Sequence, residues 1–333
     1  MKLKGYTANK LADVTKQLSH ISKNPISTAG AFGIVYRGKF HKKNEAVDCA
    51  IKYIKCNDFS RDPNSFHNEV QSQYYIKHPA ILPLLGYTLP FFGQGRLTLV
   101  TPYMEKGSLR TILVEEKKGF SPEGWDNTKR MITIFGIAAG LHKMHQEKLI
   151  HRDIKPENIL FDKDYHPKIC DFGYSKFINK SATGYCGTEI YMAPEILTGA
   201  EYDFKVDVYA YGLILYELFT NETFYDRIRI GNVNFLEAVV NGKRPDISKD
   251  VRFKPFFRKL ICDCWDGNPE VRPSFTQILE SLLNAYKKRK LIPLKNEIHG
   301  YIRETINGSE FDINFADKII NEDDEEEEEE RNE

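Results

Sequence analysis

The chain has 333 residues, 41% of them hydrophobic and 28% charged, which suits one large or two packed domains of ordinary globular composition. Formal net charge is zero but unevenly spread: residues 322–333 hold ten acids against Arg331, and the other 321 residues hold 46 bases and 37 acids. No apolar run reaches the length of a membrane span, the best stretch at 212–219 being interrupted by Glu217, so a membrane partner is not expected.

Residues 1–20 are polar, with Leu11, Val14, Leu18 and then Ile21 at weak helical spacing, and read as an N-terminal extension. The opening Met-Lys-Leu-Lys-Gly carries no apolar signal core, and position 2 is not glycine. Residues 26–54 have the texture of a strand, a glycine-rich turn and further strands. Residues 65–77 read as a helix, and residues 81–103 as two more strands. After Gly107 long helical patterns take over, at 125–146, 203–220, 254–265 and 274–288. A strand-rich first quarter before a helix-rich remainder predicts an α+β protein of two lobes, 21–103 and 107–286, joined near Thr101–Gly107.

Beyond 286, Leu291, Leu294, Ile298, Ile302 and Ile306 recur at helical spacing, so 287–320 is expected to be a helical appendage packed on the body. Residues 321–333 are an acidic tail, read as a solvated, disordered end or as a segment that binds basic surface in cis or in trans. The six cysteines are scattered without metal-ligand spacing and read as free thiols of a reducing compartment. A cytoplasmic protein is expected, with the nucleus as the alternative. The Lys287–Lys290 basic run lacks nearby aromatic platforms for bases, so no nucleic-acid partner is expected.

Three stretches carry chemistry. Gly30 and Gly33, with Val35 after them, form a turn whose bare backbone lets N–H groups approach phosphate oxygens. Lys52 sits inside the apolar strand pattern Cys-Ala-Ile-Lys, and Glu69 on the next helix is the acid that could hold it. The third stretch is the strongest: His151-Arg152-Asp153-Ile154-Lys155-Pro156-Glu157-Asn158, followed by Asp171-Phe172-Gly173. So many charges between Leu149-Ile150 and Ile159-Leu160 would make an odd core strand, because buried charges need partners. No Gly-Lys-Ser/Thr phosphate loop is present, which excludes a Walker-type ATPase.

In this order and spacing, these motifs resemble those of eukaryotic protein kinases over residues 25–286, and the fold implied is the bilobal kinase fold. The resemblance implies ATP with Mg²⁺, or Mn²⁺ in its place. Asp153 would accept the substrate hydroxyl proton, Lys155 would neutralise the transferred group, and Asn158 and Asp171 would hold the metal. Lys52, held by Glu69, would orient the α- and β-phosphates. Val35 and Ala50 would roof the adenine and Leu160 floor it. Thr101 falls at the gatekeeper position, and the Pro102 carbonyl and Met104 backbone would serve the purine. Cys170 would point toward the nucleotide. His151 would pack beneath Phe172. Thr188 would bond near Asp153 and Lys155, Glu195 would pair with Arg272, and Asp207 would brace the catalytic loop.

Lys155 and the Gly187–Glu195 segment resemble the serine/threonine pattern, and Leu260–Trp265 with Thr101–Leu109 resembles the tyrosine-kinase-like branch. Protein substrates with serine or threonine are therefore implied. Arg152 implies an activation segment, from Asp171 to Glu195, that is ordered by a phosphate from an upstream kinase. Its hydroxyls are Ser175, Ser181, Thr183 and Tyr185, with Thr183 the first expected acceptor and Ser181 the second. Two residues depart from the family pattern. Thr28 replaces the first loop glycine, and Gln73 replaces an apolar residue expected to stack on Phe172. They support the alternative of a pseudokinase scaffold that binds nucleotide without efficient turnover.

Overall fold

A computed structural model describes residues 17–20, 22, 24–26, 33–42, 45–54, 65–88, 97–228, 234–288 and 296–306. Thr28, Gly30, the first 16 residues, Leu291, Leu294 and the acidic tail thus lie outside the described residues. The chain divides into two units, 1–77 with 82–105, and 78–81 with 106–333.

The first unit is built on an antiparallel sheet in the order β1-β2-β3-β5-β4. Its strands are β1 (Leu18–His20), β2 (Gly33–Lys42), β3 (Glu45–Ile54), β4 (Gly86–Thr88) and β5 (Thr98–Pro102), and helix α1 (Ser65–Tyr75) lies between β3 and β4 in the chain. Alternation assigns the two faces. Phe40, Cys49, Ile51 and Val100 form one buried cluster, to which Leu18 and Val47 add. On the other face Ile54 and Leu99 pack with Val70 of α1 and with Leu84.

Strand β1 corrects the helical reading of the N-terminal extension. Leu18, Ser19 and His20 pair with Phe40, Lys39 and Gly38. The edge of β2 offers unpaired backbone groups, and Leu18 gains apolar burial on Phe40, which outweighs a weak helical spacing. The expected boundary at residue 20 therefore falls inside the sheet.

The second unit contains β6 (Gly107–Ser108), α2 (Leu109–Lys117), α3 (Asn127–Gln146), β7 (Leu149–Ile150), β8 (Ile159–Phe161), β9 (Pro167–Ile169) and β10 (Lys176–Phe177). Helices α4 (Pro194–Leu197), α5 (Lys205–Thr220), α6 (Phe224–Ile228), α7 (Phe235–Val240), α8 (Pro255–Cys264), α9 (Phe275–Lys287) and α10 (Asn296–Ile306) follow. Helices α3 and α5 are buried almost all round and form the core. Asp126 caps α3 by accepting from the Lys129 amide at 3.0 Å. Ser274 and Gln277 close a reciprocal capping box on α9.

Two features of this unit depart from a simple division of the chain. Residues 78–81 belong with it although the flanking residues belong to the first unit. The Ile169 amide donates to the Ala80 carbonyl at 2.8 Å, and Lys168 Nζ to the Pro79 carbonyl at 2.7 Å. The second feature is α10. Its stripe residues Ile298, Ile302 and Ile306 are buried, with Tyr301 between them. Tyr301 lies on α3 at Gly136, where a side chain would collide with its ring, and packs 4.7 Å from the His166 ring. Lys129 pairs with Glu297. His78 Nε2 donates to the Thr305 carbonyl at 2.8 Å while its Nδ1 accepts from the Ala80 amide at 3.1 Å. Burial pushes the His78 pKa down to about 4, which keeps the ring neutral for both bonds.

Candidate active site

In the first unit, register decides which side chains share a face. Val35 stands opposite Lys52, Lys52 opposite Leu99, and Ala50 opposite Thr101. Directly paired residues, and residues two apart, point the same way. Val35, Ala50, Lys52 and Thr101 therefore line one face, the face on which α1 packs through Val70. Lys52 Nζ donates to Glu69 Oε1 at 2.7 Å, with the Glu69 side chain almost fully buried. A lysine in an apolar strand is thus held by an ion pair. Gly33 begins β2 and is buried, and Met104 follows β5, half-buried. Gln73, one helical turn beyond Glu69, is 2% exposed, and its Oε1 has no hydrogen-bond partner among the described residues.

In the second unit the centre is the loop between β7 and β8. Asp153 is 3% exposed, and its carboxylate is bound from three sides. Lys155 Nζ lies 2.8 Å from Oδ2, Asn158 Nδ2 donates to Oδ2 at 3.0 Å, and Thr188 Oγ1 donates to Oδ1 at 2.7 Å. Lys155 Nζ also donates to Thr188 Oγ1 at 2.6 Å. Asn158 Nδ2 donates in addition to the Asp153 carbonyl at 2.8 Å. Both amide hydrogens are thereby aimed at Asp153, which leaves the amide oxygen as the donor Asn158 can offer to a cation.

The β8–β9 hairpin explains how Asn158 and Asp171 come together in the chain fold. Ile159 pairs with Ile169, and the Cys170 amide donates to the Asn158 carbonyl at 3.0 Å. Asn158 enters the hairpin at the end where Asp171 leaves it. Asp171 has left-handed backbone angles (φ 66°, ψ 70°), a conformation costly for a residue with a side chain. An amide oxygen and a carboxylate are hard donors, which fits a divalent cation that also binds phosphate oxygens. Leu160, on β8, is half-buried. Cys170 is a buried free thiol.

Asp207 organises the loop from α5. It is 1% exposed, and it accepts from the His151 amide (2.9 Å), the Arg152 amide (2.9 Å) and His145 Nε2 (2.9 Å). Burial opposes its charge, but His145 and the His151 amide win and hold its pKa below the ordinary value. His151 uses both nitrogens structurally. Its Nε2 donates to the Cys170 carbonyl at 3.1 Å and its Nδ1 accepts from the Asp153 amide at 3.3 Å, with the ring 5.3 Å from Phe172. Neither nitrogen is left for proton transfer. Gly187, at φ 104°, brings the Thr188 segment so close to the Arg152 carbonyl that a side chain there would overlap it.

Away from the loop, Glu195 and Arg272 form a buried bidentate pair at 2.6 and 2.9 Å. Ser181 and Thr183 are exposed. Ser175, another hydroxyl of the activation segment, is fully buried and donates to the Phe172 carbonyl at 2.7 Å. Sequence reasoning missed four side chains of this unit. His145 supports Asp207 from 62 residues away, and no spacing signals it. Arg110 joins Glu157 (2.8 Å), Glu217 (3.0 Å) and Tyr191. The interruption of an apolar run by Glu217 was the one hint. Tyr202 touches Arg152 and gave no signal at all.

A family model described as the protein kinase domain matches residues 28–283. Among curated proteins the chain is 36% identical to RGS domain-containing serine/threonine-protein kinase A of Dictyostelium discoideum, over 86% of this chain and 24% of that protein. It is 33% identical to dual specificity protein kinase shkB of the same organism, over 75% and 38%. It is 32% identical to serine/threonine-protein kinase CTR1 of Arabidopsis thaliana, over 81% and 32%. The chain thus spans well under half the length of these curated relatives.

Proposed function

Because the chain belongs to the eukaryotic protein kinase family, with tyrosine-kinase-like affinity, we propose that it is a serine/threonine kinase that moves the γ-phosphate of ATP to protein hydroxyls. One observation carries the reading: Asp153 already accepts an aliphatic hydroxyl, that of Thr188, at 2.7 Å, beside the Lys155 ammonium. That is the reach a general base needs.

The steps assigned to this chain are few, because phosphoryl transfer needs positioning and charge neutralisation more than covalent work. Asp153 orients the substrate hydroxyl and takes its proton at a carboxylate oxygen. Lys155 offsets negative charge on the transferred group, and Thr188 keeps both in register. Lys52, steadied by Glu69, binds the α- and β-phosphates. Val35, Ala50, Thr101, Met104 and Leu160 contact the purine, with Gly30 and Gly33 at the phosphates. Mg²⁺, or Mn²⁺ in its place, would be held by Asn158 and Asp171, and when bound it would neutralise phosphate oxygens.

Regulation is part of the proposal. Thr183 is the favoured acceptor of an activating phosphate from an upstream kinase, and Ser181 is second. Two observations support that order. Ser181 Oγ donates to Glu201 Oε2 at 3.0 Å, where a phosphate would meet a like charge. The Thr183 carbonyl accepts, at 3.4 Å, from the Tyr202 hydroxyl that also binds Arg152. The cytoplasm is the proposed location, supported by the free thiols of Cys49, Cys170, Cys186, Cys262 and Cys264. The acidic tail is proposed to bind basic surface, in cis or in trans.

The test is transfer from γ-labelled ATP to a mixed protein substrate, read by phosphoamino-acid analysis, with Mg²⁺ and with Mn²⁺. Phosphoserine and phosphothreonine are expected. Phosphotyrosine as the main product would refute the hydroxyl assignment. Nucleotide binding without transfer would favour the scaffold alternative.

A further inference from the structure

Arg152 is the basic residue through which a phosphate on the activation segment would act, yet here it is already engaged. Its backbone is left-handed, at φ 69°. Its Nε donates to the Tyr174 carbonyl at 2.6 Å and its Nη1 donates to the Tyr202 hydroxyl at 3.2 Å. Both side-chain partners are neutral.

Tyr202 lies between α4 and α5 and is 4% exposed. Its hydroxyl is a junction. It accepts from Arg152, and it faces the carbonyls of Gly184 at 3.1 Å and Thr183 at 3.4 Å as donor. The Cys186 sulfur stands 3.7 Å away. The backbone of Tyr202 grips the same segment. The Ala182 amide donates to the Tyr202 carbonyl at 2.7 Å, and the Tyr202 amide returns the bond at 3.0 Å. Residues 182–186 are thus tied to residue 202 by main chain and by hydroxyl. Gly187 and Thr188 come next, against the Arg152 carbonyl and the Asp153 carboxylate.

A hydrogen bond from a guanidinium to a hydroxyl that itself donates onward gains from both partners, and burial of the ring keeps water from competing. We infer that Tyr202 is a positioning residue: its hydroxyl fastens the 182–186 segment to Arg152 and so holds Thr188 on Asp153 without a phosphate. A phosphate at Thr183 then strengthens an arrangement that already exists, and does not create it. The chain has basal activity before any upstream kinase acts, and the gain on phosphorylation is modest.

Only the activity arm of this inference rests on the phosphotransferase reading. The test uses the full chain after phosphatase treatment, as wild type, Tyr202→Phe, Arg152→Gln and the double variant. Tyr202→Phe keeps the ring and both main-chain bonds, and removes only the hydroxyl. Hydrogen exchange by mass spectrometry should show amides 182–188 exchanging about tenfold faster in Tyr202→Phe, with the interior of α5 unchanged. Arg152→Gln should loosen the same segment. The double variant should be no looser than either single one, because both changes break one link. In the same samples kcat for a protein substrate should fall about tenfold in Tyr202→Phe while KM for ATP stays the same.

Unchanged exchange at 182–188 in Tyr202→Phe would overturn the inference, and so would additive effects in the double variant. If Tyr202→Phe does not fold, Arg152→Gln carries the exchange test alone, and protection left intact there overturns it equally. If the wild type transfers no phosphate but exchange changes as expected, Tyr202 keeps its role and the proposed function is what fails.

Discussion

The two units hold their functional charges in opposite ways. In the first, a cation in a strand meets an acid on a helix, Lys52 and Glu69 at 2.7 Å, and the same helix buries Gln73, whose Oε1 has no hydrogen-bond partner among the described residues. In the second, acids are bound by several donors each: Asp153 by Lys155, Asn158 and Thr188, and Asp207 by His145 and two loop amides. A buried carboxylate with several donors has one good geometry. The second arrangement suits a part that must be in place before substrate arrives.

The contrast predicts where damage is greatest. Asp207→Ala should cost about 3–5 kcal/mol of stability, since it strands His145 and two buried amides, and should abolish activity. A melting curve beside an activity assay measures both, and a variant as stable as wild type would show that the bracing is dispensable. Next comes Glu217. Burial, partly offset by Arg110 and Tyr191, pushes its pKa up to about 7. A carboxyl raised in the folded state contributes stability that is complete below its unfolded value near 4.5 and is lost as pH rises toward 7. The loss amounts to up to about 3 kcal/mol. Melting temperature should therefore fall between pH 5 and 7.5, and Glu217→Gln should flatten that fall. Equal slopes in the two proteins would contradict the assignment.

The Lys52–Glu69 pair of the first unit should matter more to nucleotide handling than to the fold. Glu69→Gln should leave the melting temperature within a few degrees while lowering kcat/KM for ATP about 100-fold through a misplaced Lys52. A large loss of stability without loss of turnover would reverse the comparison. Smallest is Gln73→Leu, which removes a buried oxygen that has no partner among the described residues and should stabilise the protein by about 1 kcal/mol in denaturant unfolding. A destabilised variant would mean that the amide has a partner that matters.

How much of this the sequence carried depends on where the partners lie. The clustering of Asp153, Lys155, Asn158 and Thr188 was legible because a charged run between apolar flanks is itself anomalous and its charges need partners. The α10 stripe was legible from periodicity, although its packing on Gly136 was not. Strand β1 was not legible: three residues pair only because β2 offers an edge, and local spacing pointed to a helix. The return of residues 78–81 to the second unit depends on bonds to Lys168 and Ile169, about ninety residues on. Tyr202 and His145 were invisible for the same reason, since their partners are 50 and 62 residues away.

The central claim is that Asp153 does the proton work of phosphoryl transfer. The most direct measurement compares wild type with Asp153→Asn for phosphate transfer at saturating ATP and Mg²⁺, with nucleotide affinity and melting temperature recorded on the same samples. The account predicts that transfer falls by about 10²–10⁴-fold while affinity and melting temperature hold. Transfer retained at the wild-type rate by a folded Asp153→Asn would contradict it.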